Sequence, residues 1–144
     1  MLVAAVTMQR PELFGAVAPM AGVHDMLRFQ LFGQGAGWTG DLGSADDASQ
    51  FKALYAHSPL HNVRAGTRYP AMLVITADHD VRVAPLHSYK LAAALQAAQA
   101  AAAPVLLRVE TTSGHGGGTT LSRRIDQGAE LLSFFARSLG MESK

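Results

Sequence analysis

The sequence predicts an α/β fold: three layers, α/β/α, around a mainly parallel sheet. Two observations predict it. Apolar runs of strand length recur at Phe14–Gly22, Ala71–Ala77 and Pro104–Glu110. Stretches of helical length and pattern alternate with them.

Taken in order, Met1–Gln9 reads as a helix that stops near Pro11, because the residue before a proline is driven out of the α region. A helix that opens with no cap before it leads us to expect a natural start further upstream. "FGAVAPMAG" (Phe14–Gly22) reads as a short buried strand ending in a loop, and "DMLRF" as a turn of helix. Phe32–Ser44 is Gly-rich and irregular. Ala45–Ala56 reads as a helix with Phe51, Leu54 and Tyr55 on one side, broken at Pro59 in "SPLHNV". Ala71–Ala77 is a continuous apolar strand, and Pro85 suits the first position of a helix running to about Ala102. Pro104–Glu110 is the third strand and Thr111–Thr120 a Gly-rich loop. Leu121, Ile125, Gly128, Leu132, Phe135 and Leu139 step by four and three, so this last helix is expected to bury that stripe as core, with Gly140 as its stop. Three strands leave a long apolar edge unpaired, which points to the later half of a larger domain.

Composition narrows the function. The 144 residues make one domain or part of one, and 49% are apolar, ample for a core. The net charge is +1 with both signs spread along the chain, so neither a nucleic-acid nor a membrane-surface partner is expected. There is no cysteine, which excludes disulfides, thiolate catalysis and Cys-based zinc sites. Leu91–Leu107 is interrupted by Gln96, Gln99 and Pro104, so no membrane span is expected. The apolar start lacks the basic region of a secretory signal. A cytoplasmic location is the expectation, with the periplasm as the alternative because the natural start is not seen.

In open α/β sheets, sites form beyond the carboxyl ends of strands. Two loops there carry chemistry: "DHDVR" after the second strand and "SGHGGG" after the third. One helix and one strand separate them, so neighbouring strand ends can bring an acid and a histidine together. A histidine acting as general base needs a carboxylate on its Nδ1–H to fix the tautomer and stabilise the imidazolium. Glycines beside it let the loop turn and let substrate approach. In α/β-hydrolases the triad runs Ser, then Asp, then His. The Asp and His are present in that order, but none of the nine serines (44, 49, 58, 88, 113, 122, 133, 138 and 143) lies in G-x-S-x-G. The elbow would precede a helix like the one at Met1, placing it just upstream.

"SPLHNV", "TADHDVRVAPLHSYKLAAALQ" and "SGHGGG" resemble the C-terminal part of the prolyl oligopeptidase family of serine peptidases. "MLVAAVTMQRPELFGAVAPMAGVHDMLRF" is similar to the helix and strand after that family's G-x-S-N-G-G elbow, and "GAGWTGDLGS" to its Trp-bearing pocket loop. The resemblance covers nearly the whole chain, in order. It implies that residues 1–144 are the C-terminal part of an α/β-hydrolase catalytic domain, with the nucleophile elbow and a β-propeller upstream. It implies Asp80 as triad acid and His115 as general base. Arg82 would bind substrate near the cleavage site. Trp38 would stack on a substrate proline, an apolar fit for a flat indole, with Val23 lining the same pocket. The implied partners are short proline-containing peptides and the upstream parts of the same enzyme, with no cofactor and no metal. Two positions depart from the family pattern. Val81 stands where a second Asp is common, and Leu42 where an aromatic often follows the pocket Trp, which bears on proline specificity.

Plainer readings stand beside these. Asp78 and Asp80 can satisfy turn amides or cap the next helix. His79 can be a loop hydrogen-bonder, His61 and His87 packing or surface residues, Arg82 an ion-pair partner and Trp38 core. Two further classes are a phosphate-binding module built on "GHGGG", which lacks G-x-G-x-x-G after the first strand and a Walker lysine, and a metal site from His79, Asp80 and His115, which lacks a third well-spaced ligand.

Overall fold

The structure is a computed structural model and describes residues 1–116 and 120–141. Gly117 and Gly118 of "SGHGGG", and Thr119, therefore lie outside the described residues.

A three-stranded, wholly parallel sheet runs in the order β1 (Ala16–Val17), β2 (Ala71–Ala77), β3 (Val105–Glu110). β2 is the centre and every residue of it is buried. That is why its sequence is an unbroken apolar run: a parallel strand covered on both faces has no polar side to alternate with. β1 is much shorter than the Phe14–Gly22 stretch. Pro19 has no N–H to offer, so the ladder breaks there. Pairing resumes past it, with Ile75 N–H donating to Pro19 O at 2.9 Å and Ala21 N–H to Ile75 O at 2.9 Å.

Helix α1 (Leu2–Gln9) ends before Pro11 and buries Ala4, Ala5, Thr7 and Met8. A short helix, α2 (Thr39–Leu42), and a 3₁₀ turn at Gly35–Trp38 give order to the Gly-rich stretch expected to be irregular. The "DMLRF" segment holds only the start of a 3₁₀ turn at Phe29–Leu31. Helix α3 (Ala48–His57) is capped by Asp47, which accepts Ser49 N–H at 2.8 Å. It buries only Leu54, while Phe51 and Tyr55 stack on each other at its surface.

Helix α4 (Leu86–Ala98) starts after Pro85 and packs Leu91, Leu95 and Ala98 with Met8, Val17, Tyr69 and Met72 into the main core. It stops short of Ala102 because Gln99 has better use for its amide outside the helix. Its Oε1 accepts Tyr69 N–H and Ala101 N–H at 3.0 Å each, and its Nε2 donates to Tyr69 O at 3.1 Å and Ala103 O at 3.0 Å.

Helix α5 (Leu121–Ser138) has the expected bounds and ends near Gly140, whose φ of +66° suits glycine. Its stripe is not core among the described residues. Leu121, Ile125, Leu132 and Leu139 are exposed, as are Leu106 and Leu107 on the outer strand β3. The periodicity fixed the helix and its apolar face, but what covers a face is a matter of tertiary packing that periodicity does not carry. No helix among the described residues is long and apolar enough to cross a membrane.

Candidate active site

The carboxyl ends of β2 and β3 lie side by side, with Ala77 in register with Glu110. Each chain end turns into one of the chemistry-bearing loops. Beyond β2, the turn carries Asp80, which is buried. Its two carboxylate oxygens do different things. Oδ1 accepts the N–H groups of Arg82 at 2.9 Å and Val83 at 2.8 Å, the turn-satisfying role. Oδ2 faces His115 Nδ1 at 2.7 Å, across from the other loop. One oxygen of Asp80 thus satisfies the turn amides, and the other meets the histidine of the neighbouring loop.

A carboxylate can only accept, so Nδ1–H of His115 donates, and in the neutral ring Nε2 is then the acceptor. That is the tautomer a general base needs. The His115 ring is about one-third exposed, so it is reachable from solvent. Its loop passes so close to the Asp80 turn that a Cβ on Gly114 would sit 2.9 Å from His79 O, and Gly116 holds φ at +70°. These two glycines are needed where they stand. Asp80, His115, Met20, Thr76 and Glu110 line a cavity of about 230 Å³.

The other expected site residues are not in the lining of that cavity. Trp38 and Val23, both half-buried, pack against the small cluster of Met26, Phe29 and Leu54, together with Leu42. Arg82 is exposed, and among the described residues it has no ion-pair partner; its carbonyl accepts Gln34 N–H at 3.1 Å. Val81, at the position that departs from the family pattern, points into solvent at 78% exposure. His79 turns to Asp78, with Nδ1 2.5 Å from Oδ1. Among the described residues no group of three side chains is arranged to hold a metal ion.

A buried polar centre around Asp25 was missed in the sequence. Asp25, fully buried, accepts from Lys90 Nζ at 2.5 Å, Arg28 Nε at 3.1 Å and Leu27 N–H at 3.3 Å. Burial works to raise its pKa, but the Lys90 hydrogen bond and the charges of Lys90, Arg28 and His61 overcome it and hold the carboxyl below its ordinary range. Asp25 N–H donates to His87 Nδ1 at 3.2 Å, which requires a neutral ring there. Burial above all pushes the His87 pKa down, to about 4, against the pull of Asp25 and with the help of Lys90. "SPLHNV" belongs to this centre: Ser58 Oγ accepts Met26 N–H at 3.0 Å and meets His61 Nδ1 at 2.8 Å. Ser58, His61 and Asp25 have the composition of a triad but not its function. Ser58 is fully buried and its oxygen is engaged by backbone, and His61 Nε2 is 3.8 Å from Asp25. The signal was present in the sequence only as a motif without a role.

An acid after one parallel strand and its histidine after the next is the arrangement that the acid and base of an α/β-hydrolase take. Comparison with known proteins narrows the class. The sequence profile of the prolyl oligopeptidase family matches residues 1–142. The chain is 47% identical over 144 residues to a prolyl endopeptidase of Elizabethkingia miricola, covering 99% of this chain and 20% of that protein. It is 41% identical over 143 residues to prolyl oligopeptidase A of Galerina marginata, covering 98% and 19%. A solved structure from a study of two prolyl endopeptidases superposes with a TM-score of 0.95 at 43% identity, over 98% of this chain and 21% of that one. Substrate-bound prolyl oligopeptidase B of Galerina marginata gives 0.92 at 34% identity, over 99% and 20%. The chain belongs to the prolyl oligopeptidase family, and its sheet and helices are part of that family's α/β-hydrolase catalytic domain. It spans about a fifth of the length of these relatives.

Proposed function

We propose that these residues form the acid–base part of a serine peptidase that cleaves short peptides on the carboxyl side of proline. The 2.7 Å contact between Asp80 Oδ2 and His115 Nδ1, with Oδ1 anchored by two backbone N–H groups, carries the reading. Residues 1–144 act as the C-terminal part of the catalytic domain, and a serine outside them supplies the nucleophile. His115 Nε2 takes the serine proton as the hydroxyl attacks the carbonyl, and returns it to the leaving amine. Asp80 holds the ring in place and stabilises the imidazolium. Arg82, exposed and without an ion-pair partner among the described residues, is free to meet a substrate carbonyl. Trp38 and Val23 supply the apolar wall for the proline ring. The names of the similar proteins and the order of the motifs support the proline preference.

The test is labelling of the full-length enzyme by a serine-reactive phosphonate carrying proline next to the phosphorus. One serine outside residues 1–144 should be modified, and a prior proline peptide should protect it. Absence of labelling in a folded full-length protein would defeat the proposal.

A further inference from the structure

The His115 loop is rich in glycine, with Gly114 and Gly116 to Gly118 around the histidine. Such a loop loses much conformational freedom on ordering, so something must hold its ends if the imidazole is to stay on Asp80. One side chain does this from below. Glu110, the last residue of β3, is only 5% exposed and lines the same cavity as Asp80 and His115.

Its Oε1 accepts from Thr112 N–H at 3.0 Å and Thr112 Oγ1 at 2.6 Å, three residues before the histidine. The same oxygen accepts from an Arg123 guanidinium nitrogen at 3.2 Å, in the first turn of α5. A single carboxylate oxygen thus holds both ends of the loop. Oε2 turns the other way, to Arg108 at 3.5 Å, and Arg108 in turn pairs with Glu130 on α5. The Glu110 carbonyl accepts Asp78 N–H at 3.0 Å, which ties the same residue to the turn carrying the acid. Its hydrogen bonds from Thr112, against some burial cost and with the charges of Arg123 and Arg108, hold its carboxyl below the ordinary range, so it is ionised when the base works.

We propose that Glu110 is a positioning residue for the general base, its carboxylate fixing the two ends of the His115 loop through Thr112 and Arg123, beside the Asp80 turn that its backbone carbonyl holds. This rests on the reading of His115 as base. Displacing a reacting group by about 1 Å costs on the order of 10²-fold in rate. The clamp should therefore act on kcat and leave KM nearly alone.

The experiment uses the full-length enzyme with Glu110→Gln, Glu110→Ala and Arg123→Ala, the last altering a half-exposed side chain. Turnover of a fluorogenic proline peptide is measured per active site, with sites counted by exhaustive phosphonate titration. This removes any loss of folded protein from the rate. The expected result is a fall in kcat per site of roughly 10- to 100-fold in Glu110→Ala, a smaller fall in Glu110→Gln, which keeps an acceptor for Thr112, and a fall in Arg123→Ala. KM should stay within about twofold, and the double variant Glu110→Ala/Arg123→Ala should be no worse than the worse single one, because both break one clamp. Wild-type kcat per site in Arg123→Ala and Glu110→Gln would overturn the proposal, as would strictly additive losses. His115→Ala in parallel separates the two claims. If it abolishes turnover while the Glu110 and Arg123 variants keep theirs, the base stands and the clamp falls. If it keeps turnover, the base reading itself falls.

Discussion

Replacing Asp80 by Asn isolates what its charge does. Asn is nearly isosteric, and its carbonyl oxygen can take the place of Oδ1, still accepting from Arg82 and Val83 N–H at 2.9 and 2.8 Å. The turn should survive, and unfolding should change little. The other end of the side chain is now an NH₂ facing His115 Nδ1, where Oδ2 stood at 2.7 Å. A donor there demands an acceptor, so Nδ1 loses its proton and Nε2 gains it. The ring is then in the wrong tautomer to take a proton from serine, and its imidazolium has lost its counter-charge. The same exchange in a Ser-His-Asp protease lowers kcat by about 10⁴-fold, which corresponds to about 5 kcal/mol of transition-state stabilisation. The assay is kcat and KM of the full-length Asp80→Asn enzyme on a proline peptide. The expectation is a kcat loss of about 10³- to 10⁴-fold with KM within a few-fold. Asp80→Ala is the contrast: it should lose as much activity and also about 1–3 kcal/mol of stability, because two N–H groups lose their acceptor. Activity within tenfold of wild type in a folded Asp80→Asn enzyme would refute the reasoning.

Two further outcomes follow from the same geometry. Gly114→Ala puts a Cβ against His79 O, a backbone atom that cannot swing away, so the loop must shift and kcat should fall on the order of 10²-fold with the protein still folded, as circular dichroism and turnover together would show. Asp25→Asn should destabilise the protein by about 2 kcal/mol in urea unfolding at neutral pH, less than a fully buried pair because Lys90 and Arg28 reach solvent. The folded pKa of Asp25 is depressed, so its stabilisation is complete above the unfolded carboxyl range near pH 4 and is lost as the pH falls through the folded value. The wild type and the variant should therefore converge in stability in acid, and a gap that stays constant down to pH 2 would contradict the assignment.

The legible parts of this chain are those where one local pattern has one cause. β2 was readable because a central parallel strand must be apolar throughout, and α5 because its stripe is regular. Asp80 and His115 stood out because polar residues crowd the ends of two strands and glycines flank the histidine, but only the resemblance of the motifs singled out the pair. The rest depends on contacts through space. Pro19 shortens β1 by withholding one N–H, and Gln99 ends α4 with four side-chain hydrogen bonds to residues that the helical pattern does not mention. Glu110 read as the end of a strand, and Asp25 only as the first residue of a turn of helix in "DMLRF". Only folding brings Arg123 to the one, and Lys90, 65 residues away, to the other. The α5 stripe shows the reverse: the pattern declares an apolar face, while exposed Leu121, Ile125 and Leu132 show that a pattern does not name its cover.

The most direct measurement is kcat/KM of the full-length enzyme with His115→Ala, on a fluorogenic peptide with proline before the scissile bond. If His115 Nε2 is the general base, the variant should bind the peptide with nearly wild-type KM and lose at least about 10⁴-fold in kcat. Turnover within tenfold of wild type would mean that the Asp80–His115 pair is an ordinary loop contact and that proton transfer is done elsewhere.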